Sequence, residues 1–157
     1  MQAALKEALK AGKKNEAPIG AVVVHKGAVV GRGHNKKESA NDPLSHAEMV
    51  AIRAASKKMK AWRLSGTTLY VTLEPCLMCM GAIIQARIPR LVFAAYDPKA
   101  GACGSLYDIS KDGRLNHTVS VTAGPCEAEA SGLLKGFFST LRSGKKALKK
   151  AASTGGA

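Results

Sequence analysis

The chain has 157 residues, 46% hydrophobic and 22% charged, which is the make-up of one globular domain with a core of its own. Lys and Arg outnumber Asp and Glu by 24 to 11, a formal charge of +13, and no apolar run approaches the ~20 residues of a membrane helix. The composition thus excludes a membrane span, and the charge argues for a polyanionic partner, nucleic acid first, over plain solubility with a basic tail.

The opening MQAALKEALKAGKK lacks the unbroken apolar stretch of a signal peptide, so the expected setting is a reducing cytoplasm. Residues 2–12 carry apolar side chains at helical spacing and end on Gly12. Residues 18–35 hold two Val-rich runs parted by His25, Lys26 and Gly27, a β-hairpin pattern. Turn chemistry at Asn41 to Pro43 leads into a helix with Ala47, Val50, Ala51, Ala54 and Ala55 on one face. Trp62 is expected to pack at the end of that helix. Residues 67–74 are β-branched and aromatic, a strand. Residues 75–88 predict a helix stopped before Pro89, and 90–96 another strand. A Gly- and Asp-rich loop follows, too long for a plain connector. A short strand near 118–124 precedes a helix over 125–142 with Leu133, Phe137 and Leu141 on one stripe. This order predicts an α/β fold in three layers, a mixed five-stranded sheet with helices on both faces. The domain is expected to span 1–142, with 143–157 a basic, disordered tail.

Cys76 and Cys79, in LEPCLMCMG, follow a predicted strand and open a helix. Residues i and i+3 share a helical face, and the helix N-terminus favours thiolate. That geometry suits a soft metal or a low-pKa redox pair equally. His46 and Glu48 decide between them. SHAE also sits at a strand-to-helix corner, and such corners cluster at the carboxyl ends of strands in an α/β sheet. Taken singly, a His there is more often a cap and a Glu merely suits the helix dipole. Together, His46, Cys76 and Cys79 make three ligands that leave a tetrahedral zinc one open position, the catalytic pattern. Glu48 is the carboxylate placed to move protons beside the metal.

H-x-E at 46–48 followed by P-C-x-x-C at 75–79 resembles the zinc nucleobase deaminases. PIGAVVV, GHN, DPLSHAEMVAI, LYVTLEPCLMCMGAI, GACGSL, LNH and FF, in order and spacing, are similar to the branch acting on adenosine in tRNA, with residues 97–106 and LNH narrowing the match. The resemblance implies a cytidine-deaminase-like fold. It implies adenosine deaminated to inosine at wobble position 34 of the tRNA anticodon, by zinc-activated water with Glu48 as proton shuttle. It also implies one Zn2+ per subunit, a homodimer, an arginine tRNA as partner, and substrate contacts from Asn35, Ala47, Asp97 and Phe138. The rival is a zinc deaminase of a free base or nucleoside, guanine or cytosine, which has little use for the charge. Cys103 and Cys126 are expected to be ordinary free thiols, and at least one of Phe137 and Phe138 to be core.

Overall fold

A computed structural model describes residues 1–154, with side-chain surroundings through residue 144. The elements come in the expected order: α1 (Gln2–Gly12), β1 (Gly20–His25), β2 (Ala28–His34), α2 (Ala47–Met59), β3 (Thr67–Leu73), α3 (Leu77–Gln85), β4 (Arg90–Ala95), β5 (Ser120–Ala123) and α4 (Glu127–Thr154). The hairpin turn places Lys26 and Gly27 at φ 48° and 78°, the pair of positive angles that a two-residue turn between twisted strands favours.

The strands form one mixed sheet in the order β2-β1-β3-β4-β5. β1 is antiparallel to both β2 and β3, while β3, β4 and β5 run parallel. Four strands therefore point one way, and their carboxyl ends share one sheet edge with the amino end of β1.

Alternation along the strands feeds two faces. Ala21, Val23, Leu69, Val71, Leu91 and Phe93 pack against Ala47, Ala51 and Ala55 of α2 and Met80, Ile83 and Ile84 of α3. On the other face Leu5 of α1 and Ala130 of α4 meet Ala94 and Ala95. The α2 stripe is narrower than expected, since Val50 and Ala54 are only half-buried. A Cβ on Gly33 would strike the backbone of Ala47 and Ala51, and one on Gly31 that of Ala51 and Ala55. Helix and strand touch through their main chains, and this contact sets where α2 begins.

Three expectations need correction. α3 ends at Gln85, before Pro89 could stop it, because Arg87 takes φ 59° and the N–H groups of Arg87 and Ile88 turn back onto Ile84 and Ile83. Trp62 does not pack at the helix end. Lys60, at φ 53°, turns the chain outward, leaving Trp62 59% exposed under the Arg63 guanidinium, and Leu64 fills the core instead. The helix expected to stop at residue 142 continues as α4 to Thr154, well into the segment read as disordered, since KKALKKAA is built from strong helix formers. The last three residues of that segment lie outside the described residues. No helix among the described residues is long and apolar enough to cross a membrane.

The loop between β4 and β5 hangs on one carboxylate. Glu74 follows β3 and is 2% exposed. Its Oε1 accepts the N–H groups of Cys103 (2.9 Å) and Ser105 (3.1 Å). Its Oε2 accepts the N–H of Asp97 (3.1 Å) and the Ser105 hydroxyl. Burial works against the charge, but these donors, Ser105 first, outweigh it and hold the carboxyl below its ordinary 4.5.

Gly33→Ala should destabilise the protein by about 1–3 kcal/mol in urea melts, the cost of overpacking. Gly81→Ala, inside α3 with open space around the added methyl, should be neutral or stabilising by up to ~1 kcal/mol. Equal melts for Gly33→Ala and the parent chain would contradict the close helix–strand contact. Because the folded pKa of Glu74 is depressed, its stabilisation is complete above 4.5 and fades as pH falls through the folded value. The stability gap between the parent and Glu74→Gln should thus be wide at pH 7 and shrink at pH 3, as measured by denaturant titration.

Candidate active site

His46 and Cys76 occupy equivalent positions. Each is the N-cap of its helix, with extended backbone (φ −71°, ψ 154° and φ −74°, ψ 173°), and neither uses its side chain to cap. Both side chains are therefore free to turn toward the space above the helix mouths. Cys79, one turn into α3, joins them. His46 Nδ1 lies 3.8 Å from Cys76 Sγ and 3.5 Å from Cys79 Sγ. Among the described residues these three form the one group whose ligand atoms, all within 4.8 Å of one another, could hold a metal. One imidazole and two sulfurs are a donor set that fits zinc, with one position left for a small ligand.

The electrostatics favour a cation. The Cys76 thiol is pulled down to about 4, first by a hydrogen bond from the Cys79 thiol, then by His46. Cys79 is pushed up, first by that same bond and then by burial. His46 is raised above 6.5, chiefly by its bond to Cys76. Without a metal the two sulfurs thus keep one proton between them, and ligating both releases it.

A cavity of about 270 Å³ opens beside this group. Asn35, His46, Ala47, Glu48, Cys76, Asp97 and Phe138 all line it, so seven of the eight residues singled out from sequence meet at one place. Cys79, fully buried, sits behind them as a ligand would. Glu48 is 4% exposed, and burial first of all pushes its pKa above 4.5. Ala47 opens α2, so its backbone N–H is one of the donors that a helix leaves without an intrahelical partner. Asp97 has a structural task as well, since its Oδ1 accepts the N–H groups of Lys99 (3.0 Å) and Ala100 (3.3 Å) and caps the turn. Phe138 is 44% exposed and stands edge-on to the half-buried Phe137; neither joins the core clusters, so the expectation that at least one of them is core is not met. Tyr96 packs edge-on against Phe93.

Sequence reasoning missed three buried carboxylates, Glu7, Glu16 and Glu74. Glu74 also lines the cavity. The available signal was a Glu ending an apolar strand directly before Pro75, where a charge has no reason to be unless the fold supplies it with donors. Cys103 is buried, and burial raises its thiol; Cys126 is half-buried at the foot of α4.

The sequence pattern of the MafB19-like deaminases matches residues 1–142. The chain is 47% identical to the tRNA-specific adenosine deaminase of Bacillus subtilis (strain 168), over 96% of this chain and 93% of that one. A solved structure from studies of A-to-I editing by tRNA:A34 deaminases at the wobble position of transfer RNA superposes with a TM-score of 0.82 at 44% identity, covering 85% of this chain and 97% of that one. A guanine deaminase from Nitrosomonas europaea superposes with a TM-score of 0.74 at 26% identity, covering 85% and 80%. The chain is a deaminase and belongs to the family of the tRNA-specific adenosine deaminases.

Proposed function

We propose that this protein converts adenosine to inosine at wobble position 34 of a tRNA anticodon, an arginine tRNA by resemblance, acting as a homodimer with one zinc per subunit. The observation that carries the reading is the cavity itself, where a buried Glu48 opens onto the same space as His46 and Cys76. The net reaction is hydrolytic: water adds at C6, the C6–amine bond breaks, and ammonia leaves. Zinc held by His46, Cys76 and Cys79 would supply Lewis acidity that lowers the pKa of a water from ~15.7 towards ~7. Glu48 takes a proton from the attacking water and passes it to N1, then takes the remaining proton of the new C6 hydroxyl and passes it to the departing amine, so that both protons of the water are accounted for; it is buried and lines the cavity. Asn35 and the N–H of Ala47 hold the base against that carboxyl. Asp97 contacts the ribose in this reading, supported by its place in the cavity wall and by the turn bonds that occupy only its Oδ1.

Two features favour a nucleic acid over a free base, and a third suits the homodimer. The charge is +13. A second cavity, about 410 Å³, shares Asn35, Lys37 and Phe138 with the first and adds Phe137 and Leu141, an apolar wall for the bases flanking a flipped nucleotide. Leu77, Leu106 and Tyr107, each 45–54% exposed, form an apolar patch next to Cys76, which suits a subunit interface beside the site.

Elemental analysis should find one zinc per chain. Cys79→Ala should lose metal and turnover together, whereas Glu48→Ala should keep its zinc and lose at least ~10²-fold in kcat. A Glu48→Ala protein without zinc would make Glu48 a ligand rather than a proton carrier. An anticodon stem-loop with adenosine at the wobble position should be deaminated, and the same hairpin with its adenosine moved into the stem should not. Binding should weaken steeply with salt as neutralised phosphates regain counterions. Efficient turnover of free guanine or cytosine, with an inert stem-loop and no salt slope, would assign the site to the free-base reading.

A further inference from the structure

Glu16 lies in the connection between α1 and β1, with none of its surface exposed. It does not line the catalytic cavity but stands behind a residue that does. Its Oε2 accepts Asn35 Nδ2 at 3.1 Å and the N–H of Glu38 at 3.3 Å, and its Oε1 accepts the N–H of Ser39 at 2.6 Å. Burial opposes the charge, but Ser39, Glu38 and the nearby Lys37 more than offset it, so the carboxyl titrates below 4.5 and is ionised at neutral pH.

An ionised carboxylate only accepts hydrogen bonds. The side-chain amide of Asn35 must therefore present its NH2 end to Glu16. The flipped amide would set Oδ1 against a carboxylate oxygen in a buried place, with no water to separate two acceptors. One N–H of Asn35 is consumed, and what the residue has left for the cavity is Oδ1 and the second N–H. The same carboxylate holds the backbone at Glu38 and Ser39, in the turn that brings Lys37 to the cavity wall. One buried charge thus ties a base-facing amide and a wall cation to the same anchor.

We propose that Glu16 is a positioning residue that fixes the orientation of the Asn35 amide, and so sets the donor and acceptor pattern that the pocket offers to the bound nucleoside. This rests on the reading of Asn35 as a substrate contact given above. Glu16 touches no substrate, and its main effect on turnover passes through residue 35, with the anchoring of the Lys37 turn as the lesser part.

The test is a double-mutant cycle in the zinc-loaded, full-length protein on an anticodon stem-loop with adenosine at the wobble position. Glu16→Gln keeps the size but can donate as well as accept, so the amide loses its fixed direction. A roughly tenfold or greater drop in kcat/KM is expected, the size of one charge-assisted hydrogen bond, with zinc content unchanged. In an Asn35→Ala background the same substitution should cost little more in kcat/KM, while the melting temperature should still fall further, because Glu16 also holds the N–H groups of Glu38 and Ser39. Losses in kcat/KM that add across the two sites would mean that Glu16 acts on the fold alone, and would overturn the proposal. So would a Glu16→Gln enzyme with unchanged kcat/KM. Should Glu16→Gln fail to fold, Glu16→Asp keeps the charge but draws it back from Asn35, and the cycle is read on that pair with the same criterion. If the stem-loop is inert and free guanine is turned over, the cycle is run on guanine. The coupling then stands or falls separately from the tRNA reading.

Discussion

Because β1 runs against both of its neighbours, β2 and β3 end at the same edge of the sheet, and the helices that follow them open side by side. A parallel strand in that place would leave the ends of β2 and β3 no such relation to a hairpin of only two turn residues. Two helix mouths aimed at one space also concentrate partial positive charge there. Thiolate is favoured at Cys76, and a divalent cation there would be held by the sulfurs rather than by the helices, which would repel it. The grouping of the three possible ligands is in this sense a property of the sheet order, with His46 and Cys76 in matching N-cap positions as its visible result.

Three buried glutamates show how the same side chain is given different work by its donors. Glu74 and Glu16 each collect several hydrogen bonds, mostly from backbone, and both titrate lower than an ordinary carboxylate. They are permanent anions around which loops are wound. Glu48 is as buried, has few donors, and titrates high. It can exchange a proton, whereas the other two are fixed as charges. Burial pushes all three upward, and the donors at the oxygens decide whether that push is outweighed, as at Glu16 and Glu74, or prevails, as at Glu48.

Much of this is legible in the residues. Strand and helix order follows from periodicity, and the gathering of His46, Cys76 and Cys79 from H-x-E and P-C-x-x-C, because both motifs sit at strand-to-helix corners. What periodicity could not reveal is where a chain leaves a helix through a left-handed residue such as Arg87 or Lys60, since neither residue type announces that conformation. That is also why Trp62 ended outside. The carboxylates at 16 and 74 stayed hidden for a different reason. Their partners are backbone amides far along the chain, and a backbone amide has no letter in a sequence. The helix beyond residue 142 was obscured by reading charge as disorder, although Ala, Leu and Lys are each good helix formers.

At Gly31 and Gly33 the strand meets α2 with bare main chain, close against the helix's own backbone. An interface made of side chains can drift, one methyl at a time, into a slightly different geometry. An interface made of main chain has no such intermediate settings, and any residue added to it only pushes the two elements apart. The helix that carries His46 and Glu48 is for this reason held in one register on the strand. The loops tied to Glu16 and Glu74 are attached at single points and remain open to revision. A lineage could exchange one substrate for another through those loops alone, keeping its chemistry untouched because the part that performs it has nowhere to move.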